Sequence, residues 1–317
     1  MKAFSQLARD LVAVQKDGRT RPEATLTCEW ETPPGFYRFR IGKMRGAVVS
    51  DGPILLPEPG AIFTALSEAE IGASLDAAFL SQGPIRAEQN CLLLQWDDRV
   101  ALFDDGMGES DLFGPHAGRL RQNMARAGVS SEMVTDLILS HAHPDHCWGT
   151  MGADGIPNFP NATVHISEAE WGFWDACNEP ALELAVAGFR QQVVPLRDRI
   201  RFFAGGDEVL PGIYALSAPG HTPGHTAFLV SSEGERAYVL ADTTFHVPLS
   251  FDFPATSSAY DYDAEIGAAT RLALLGQVAD ERARVISYHA PWPGIGHVAR
   301  VGSGFRFVAE PMILDGA

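Results

Sequence analysis

The sequence predicts a mixed α/β protein in which two β-sheets pack face to face and helices cover their outer sides. The chain has 317 residues, which corresponds to one large domain or two small ones, and its 46% hydrophobic content is enough for a substantial core. Segments with strand-like alternation are interspersed with segments of helical periodicity. This order occurs in two successive halves, as expected for two packed sheets with helices outside them.

The N-terminal region is predicted to differ from the rest of the chain. Apolar residues recur at helical spacing over residues 2–15, which predicts an amphipathic helix followed by a polar stretch. We therefore expect residues 1–27 to form an N-terminal helix and extension, and residues 28–317 to form a single domain. The helix could pack on that domain or on a second subunit, which leaves a homodimer open.

The same patterns predict the elements of the main domain. The predicted strands cover residues 36–41, 44–50, 90–96, 99–103, 134–139, 162–166, 200–203, 213–217, 226–230, 237–240, 285–287 and 305–308. The predicted helices cover residues 67–80, 115–127, 180–192 and 263–279, and one more helix starts at Ser167. Ser67 and Glu70 have the spacing of a capping box, and Gly128 is a typical C-terminal helix stop.

One short segment, residues 139–146, is rich in metal-ligand side chains. It reads Leu-Ser-His-Ala-His-Pro-Asp-His and follows a predicted buried strand. Imidazole and carboxylate are ligands that zinc prefers. His141 and His143 should point the same way because the side-chain period of an extended chain is two, while Pro144 turns Asp145 and His146 towards a second point. The segment therefore predicts ligands for two metal ions, and a solvated polar loop is the alternative.

Three further ligand-type residues follow predicted strands. His221 lies in a Gly/Pro-framed turn, Asp242 ends an apolar strand, and His289 precedes the rigid turn at residues 291–294. A carboxylate at the position of Asp242 could bridge two cations. A lone histidine after a strand is more often structural, but the joint occurrence of all three residues in this order is a stronger signal.

These residues resemble the ligand set of the metallo-β-lactamase superfamily of binuclear metallohydrolases. The resemblance spans Gly35 to Val308 and implies an α/β four-layer αββα sandwich with the metals at one edge, between the sheets. It implies that the first metal is held by His141, His143 and His221. It also implies that the second metal is held by Asp145, His146 and His289, and that Asp242 bridges the two. The implied cofactors are two Zn²⁺ per chain, with manganese, iron or cobalt also suited to such ligands.

The flanking segments are most similar to the methyl parathion hydrolase and acyl-homoserine lactonase branch of that superfamily. These segments are residues 35–38, 49–52, 158–162, 168–171 and 293–297. Two positions depart from the branch pattern. Cys147 and Trp148 stand where a small or aliphatic residue and a glycine are more common, and Asp105 stands where the branch often has threonine.

Composition limits the partners. The formal net charge is −16, from 40 acidic and 24 basic residues, which disfavours nucleic acid because phosphate binding relies on lysine and arginine. We expect instead a small, neutral, partly apolar substrate. The four cysteines are scattered, no apolar run approaches the ~20 residues of a membrane span, and the first ten residues lack an apolar signal core. A cytoplasmic protein that does not span a membrane is the expectation.

Together these features predict a zinc-dependent hydrolase. Two metals can share a water, lower its pKa and present hydroxide, while one of them polarises a carbonyl or phosphoryl oxygen. Asp145 and Asp242 are the candidate catalytic residues for orienting the hydroxide and passing its proton to the leaving group, with Asp145 favoured. The favoured substrate is a lactone such as an acyl-homoserine lactone. The alternatives are an organophosphate triesterase, an aryl esterase, a β-lactamase, a hydrolytic dehalogenase, or a metal-bound module that only senses a ligand.

Several other residues are assigned supporting roles. His225 and His297 are expected to serve a turn or to hydrogen-bond a ligand, and Cys147 is expected to be a packed thiol rather than a nucleophile. His246 is a candidate for the pocket lining or the surface. Aromatic side chains are candidates for the pocket wall or the core: Trp148, Trp171, Trp174, Phe245 and Trp292.

Overall fold

The fold is described from a computed structural model, in which residues 34–313 are the described part of the chain. The helix predicted at residues 2–15 lies outside the described residues, and the boundary proposed at residue 27 stays a prediction. Within residues 34–313, no helix is both long and apolar enough to cross a membrane.

Sixteen strands and eight α-helices are assigned within this range. The strands are β1 (Phe36–Ile41), β2 (Met44–Ser50), β3 (Ile54–Leu56), β4 (Ile85–Ala87), β5 (Asn90–Trp96), β6 (Arg99–Phe103), β7 (Asp136–Ile138), β8 (Thr163–Ser167), β9 (Ile200–Phe203), β10 (Glu208–Leu210), β11 (Ile213–Ser217), β12 (Thr226–Ser232), β13 (Glu235–Val239), β14 (Arg284–Ile286), β15 (Ile295–Val301) and β16 (Gly304–Ala309). The helices are α1 (Pro59–Ile62), α2 (Glu68–Ala77), α3 (Leu120–Arg126), α4 (Pro144–Cys147), α5 (Glu168–Ala176), α6 (Glu183–Gln192), α7 (Leu249–Asp252) and α8 (Ala264–Glu281).

Two seven-stranded mixed sheets form the centre of the molecule. The first has the order β1-β2-β5-β6-β7-β8-β9, and the second has the order β10-β11-β12-β13-β14-β15-β16. The pairs β6–β7, β7–β8 and β8–β9 are parallel in the first sheet, and β13–β14 is the parallel pair of the second. A buried core lies between the sheets, where Phe103 of the first sheet packs edge-on against Phe228 of the second at 5.3 Å between ring centroids.

Helices cover the outer face of each sheet. Leu120 and Met124 of α3, Trp174 of α5 and Phe189 of α6 pack with the outward-facing apolar residues of the first sheet. The long helix α8 covers the second sheet. Apolar side chains on both faces of each sheet are thus removed from water, which is the main stabilising contribution in such a layered fold. The predicted four-layer αββα sandwich is confirmed.

Local sequence signals account for much of this structure. The hairpin β1–β2 has the predicted bounds, and its turn is made by Gly42, which has a positive φ of 53°. Ser67 and Glu70 form the predicted capping box at the start of α2.

The structure also corrects some predictions. The helix predicted at residues 115–127 is only Leu120–Arg126. Gly118 has φ +77°, and its N–H together with that of Leu120 donates to the buried carboxylate of Asp51, so the preceding residues form a turn. Strand β15 and the small sheet β3–β4 were missed. The first begins around two glycines, Gly294 and Gly296, and the second has strands of only three residues.

Candidate metal centre

The structure brings all seven predicted ligand residues to one edge of the sandwich. They come from segments that follow β7, β11, β13 and β14: His141, His143, Asp145, His146, His221, Asp242 and His289. All are buried except His143, which is partly exposed. Because β6, β7 and β8 run parallel, as do β13 and β14, their carboxyl ends lie at one edge of each sheet.

Three histidines form the first group of ligand atoms. His141 Nε2 lies 3.1 Å from His143 Nδ1, which in turn lies 2.9 Å from His221 Nε2. The three nitrogen atoms lie within 4.8 Å of one another. This arrangement of imidazoles around one point is suited to a transition-metal ion.

A second group lies beside the first. Asp145 Oδ2 lies 3.3 Å from His289 Nε2 and 3.5 Å from His146 Nε2. These three ligand atoms also fall within 4.8 Å of one another. The second group differs from the first in containing a carboxylate.

Asp242 lies between the two groups. Its Oδ2 is 3.3 Å from His221 Nε2, while its Oδ1 is 3.1 Å from His146 Nε2 and 3.4 Å from His289 Nε2. Each carboxylate oxygen therefore faces a different group. A carboxylate placed in this way could ligate one cation in each group.

The remaining imidazole nitrogens are held by other partners, which fixes the ring orientations. His146 Nδ1 pairs with Asp104 Oδ2 at 2.8 Å, and His289 Nδ1 donates to the carbonyl of Glu88 at 2.7 Å. The Nδ1 atom of His221 faces Asp261 Oδ1 at 3.4 Å. Such partners orient each ring so that its other nitrogen faces the cluster.

Two buried atoms at the centre of the cluster show that its residues fit a metal ion. His146 Nε2 and Asp242 Oδ1 have no hydrogen-bond partner, although they lie 3.1 Å apart. Unpaired polar atoms in a protein interior are costly. A divalent cation held between them would satisfy both atoms.

Electrostatics differ between the two groups. In the first group, burial lowers the pKa of His143 to about 3 and lowers that of His141 well below its ordinary value, so both rings are neutral. In the second group, burial acts in the same direction on His289, but Asp242 and Asp145 outweigh it and raise its pKa to about 10. The carboxylates thus stabilise positive charge beside them, which a divalent cation can supply.

Local structure explains how residues 141–146 reach both groups. Strand β7 ends at Ile138, and Pro144 occupies the first turn of α4, where its missing N–H leaves no bond unmade. Asp145 and His146 therefore lie on one helical turn, whereas the sequence suggested a simple bend at Pro144. The turn places Asp145 and His146 in the second group, next to His289.

His225 supports Asp242, as expected for a residue that hydrogen-bonds a ligand. Its Nε2 accepts the backbone N–H of Asp242 at 3.1 Å, and its Nδ1 donates to the carbonyl of Ala218 at 2.8 Å. Burial lowers the pKa of His225 to about 3, so the ring is neutral and can accept. His297 lies elsewhere, on β15, where it donates to the carbonyl of Ala283.

A cavity of about 110 Å³ opens onto the cluster. Its walls opposite the ligand residues are largely apolar and are formed by Ile54, Leu56, Phe113, Phe245 and Tyr260. Of the predicted aromatic wall, Phe245 lines this cavity. Trp174 packs behind His143, at 5.7 Å between ring centroids.

The other candidate aromatic residues belong to the core or to its margin. Trp171 contacts Phe189 and lies under Arg197, and Trp292 packs at the margin of the core between the sheets. Cys147 is fully buried, and burial raises the pKa of its thiol well above the ordinary value, so it is a packed thiol as predicted. Asp105 accepts from Gly149 N and Thr150 Oγ1, which indicates a structural role for this departure from the branch pattern.

Sequence reasoning missed the residues that orient the ligands. Asp104 accepts from Ser140 N and Oγ, each at 2.7 Å, as well as pairing with His146. The hydroxyl of Tyr288 donates to the carbonyl of Asp145 at 2.6 Å. Asp104 could have been found, because it follows β6, the parallel neighbour of the strand that leads to His141.

The fold and this cluster define a metal-dependent hydrolase of the metallo-β-lactamase type. The family model described as "Metallo-beta-lactamase superfamily" matches residues 85–289, and the chain belongs to that superfamily. A curated relative from Bacillus cereus, an N-acyl homoserine lactonase, is 27% identical over 199 residues, which cover 57% of this chain and 74% of the relative.

Two solved structures resemble the whole described domain. One is described as AidC, a dizinc quorum-quenching lactonase in complex with its product N-hexanoyl-L-homoserine. It has a TM-score of 0.83 and 28% identity, covering 88% of this chain and 98% of that chain. The other, the hydrolase AbOPH of the beta lactamase superfamily, has a TM-score of 0.81 and 26% identity, covering 89% and 99% of the two chains.

Proposed function

We propose that this chain is a zinc-dependent lactonase with a binuclear metal centre, and that its substrate is a neutral lactone of the acyl-homoserine lactone class. The proposed ligands are His141, His143 and His221 for the first ion, Asp145, His146 and His289 for the second, and Asp242 for both. The observation that carries the proposal is the position of Asp242, whose two oxygens face the two groups separately. Two buried unpaired atoms between those groups support it.

A pair of divalent cations would supply a water of lowered pKa and would polarise the carbonyl oxygen of the substrate. The chain itself supplies the bases that move the proton. Asp145 and Asp242 both face the interior of the cluster, and both buried residues line the substrate cavity. The pKa of Asp145 is held below its ordinary value, because His146 and His289 together outweigh the effect of burial. Asp145 is thus an available acceptor, and the favoured residue to return the proton to the leaving alkoxide.

The cavity favours a substrate with an uncharged polar head and an apolar part. Its inner end is lined by ligand residues, and its outer wall is apolar, with Leu56, Phe113 and Phe245 on different segments. An acyl-homoserine lactone offers a carbonyl for the inner end and an aliphatic chain for the outer wall. Relatives and a solved structure that are named as lactonases of this class support the choice of substrate.

One kinetic panel tests this proposal. The metal-loaded enzyme is assayed with acyl-homoserine lactones of short and long chain, aryl esters and phosphotriesters under the same conditions. We expect kcat/KM for a lactone to exceed that for the other classes by about 100-fold, equivalent to ~2.7 kcal/mol of transition-state stabilisation. Higher activity on phosphotriesters would favour the organophosphate triesterase. No turnover of any of these classes by protein carrying two metals would favour a ligand-sensing role.

A further inference from the structure

A second buried carboxylate, Glu170 of α5, is connected to the cluster without facing it. The side chain is 0% exposed. Its Oε1 accepts from Ala142 N at 2.9 Å and from Trp174 Nε1 at 2.6 Å. Its Oε2 accepts from Thr222 Oγ1 at 2.6 Å and from Gly224 N at 3.1 Å. Burial raises the pKa of Glu170, and four donors to its carboxylate offset part of the cost of burying the charge.

The two oxygens of Glu170 hold two different segments. Ala142 lies between His141 and His143, so Oε1 fixes the backbone of the segment that carries both residues. Thr222 directly follows His221, so Oε2 fixes the turn that carries the third member of the first group. One side chain therefore sets the distance between the two segments that supply that group.

The start of α5 reinforces this contact. The Ser167 hydroxyl donates to the carbonyl of Gly224 at 2.8 Å, and it also accepts from the N–H of Glu170. Gly224 lies so close that a Cβ atom at this position would come 2.0 Å from Glu170 N, which only glycine avoids. The ring of Trp174 packs edge-on behind His143. The support is therefore closely packed and rigid.

The second group is held by other residues. Asp104 pairs with His146 Nδ1, the carbonyl of Glu88 accepts from His289 Nδ1, and Tyr288 donates to the carbonyl of Asp145. The side-chain hydrogen bonds of Glu170 go to Ala142, Trp174, Thr222 and Gly224. Glu170 thus holds segments of the first group, and Tyr288 and the Glu88 carbonyl hold residues of the second. Asp104 contacts both groups, because it also accepts from Ser140 next to His141.

We propose that Glu170 is a positioning residue that sets the metal affinity of the His141, His143 and His221 site separately from that of the neighbouring site. The inference rests on the proposed metal centre. Replacing Glu170 by glutamine keeps the size but leaves only one oxygen, and the new NH₂ group must face the N–H of either Ala142 or Gly224. One segment is then released. Loss of such supporting partners typically weakens metal binding by about 10–100-fold.

The test is a calorimetric titration of metal-free protein with Zn²⁺. Wild type should bind two ions per chain. In Glu170→Gln we expect one binding event to weaken by about 10–100-fold and the other to remain as in wild type. Loading with one equivalent of ¹¹³Cd²⁺ identifies the retained site by NMR, because the second group includes carboxylate oxygen and the first offers three nitrogens. Tyr288→Phe removes the donor to the carbonyl of Asp145 and should give the reciprocal result, with the second group weakened.

Two further substitutions separate positioning from folding. Thr222→Val removes one donor to Glu170 and should weaken the same event as Glu170→Gln, while Thr222→Ser keeps the hydroxyl and should restore wild-type binding. Asp136→Asn is the matched control, since Asp136 is a buried carboxylate paired with Arg99 and His165 at the start of β7. It should titrate as wild type. Thermal unfolding of each metal-free variant monitors its fold.

The outcomes are distinguishable. If Glu170→Gln and Thr222→Val both titrate as wild type, or weaken both events equally, the positioning role is refuted while the metal centre stands. If wild type itself binds no metal, the proposed function fails instead. Should Glu170→Gln not fold, the comparison of Thr222→Val with Thr222→Ser decides the question.

Discussion

Arg271 of α8 allows the energetics of the region around Asp242 to be tested quantitatively. The guanidinium is buried, with a side-chain exposure of 3%. It donates to the carbonyl of Thr243 at 2.8 Å and to that of Thr256 at 2.7 Å, and it pairs with Asp261 Oδ2 at 3.0 Å. Asp261 in turn faces His221 Nδ1. One side chain thus connects the residue after Asp242 with the carboxylate that orients His221.

Replacing Arg271 by methionine keeps an unbranched apolar stem and removes every donor. The Asp261 carboxylate loses its cationic partner while buried, and the carbonyls of Thr243, Pro254 and Thr256 lose their donor. Breaking a buried pair by removing one partner costs about 3–5 kcal/mol. At roughly 2–4 °C per kcal/mol for a domain of this size, we expect Tm to fall by about 6–20 °C.

The assay is thermal and urea unfolding of metal-free Arg271→Met beside wild type, so that metal release does not contribute to the transition. The matched control is Arg300→Met. Arg300 also makes two hydrogen bonds of 2.8 Å to an aspartate, Asp280, but both side chains of that pair are more than half exposed. Solvent screens such a pair, so we expect the control to leave Tm almost unchanged. Equal effects of the two substitutions would refute the reasoning that burial makes Arg271 important.

Three further predictions concern the cluster and its cavity. Asp242→Ala should lose both metal occupancy and activity, because its oxygens face both groups, and metal analysis of the purified variant checks this; a fully loaded, active variant would contradict the bridging role. Burial lowers the pKa of His246 to about 4, below the ~6.5 of an unfolded histidine, so stability should be full above pH ~6.5 and fall by up to about 3 kcal/mol as the pH drops towards 4. In urea unfolding of the metal-free protein, His246→Phe should lose less unfolding free energy than wild type between pH ~6.5 and 4. The same pH dependence in both proteins would count against this role of His246. Leu56→Trp should narrow the cavity and raise KM for long-chain lactones more than for short-chain ones, with metal content unchanged. An equal rise for both chain lengths would show that Leu56 does not contact the acyl chain.

The elements that the sequence predicted well are those whose signals are local. The capping box of Ser67 and Glu70 lies within four residues, and the β1–β2 hairpin needs only alternation and a glycine at its turn. The helix predicted from residue 115 began too early for a long-range reason. Asp51 accepts the N–H groups of Gly118 and Leu120. Because Asp51 lies more than 60 residues before these donors, the sequence around residue 118 does not reveal the contact.

In the candidate site, too, the ligand residues could be predicted from local sequence, whereas the residues that support them could not. Ligand-type side chains are chemically distinctive, and four of them occur within six residues, so their convergence could be predicted from spacing and resemblance. The supporting residues could not, because Asp261 lies 40 residues from His221 and Glu170 lies 52 residues from Thr222. A buried carboxylate is recognisable as a positioning group only when the donors around it are known. The cavity wall shows the same limit, since Phe113 and Tyr260 are brought to it by loops.

In the proposed centre, two metal ions lie on either side of Asp242. Anomalous diffraction from crystals of the zinc-loaded protein tests it most directly, with data collected above and below the zinc absorption edge. We expect two anomalous peaks per chain, about 3.5–4 Å apart, as in other two-metal sites. One peak should lie among His141, His143 and His221 and the other among Asp145, His146 and His289, with one oxygen of Asp242 at each. A single peak, or a second peak held by other residues, would contradict the proposed binuclear centre.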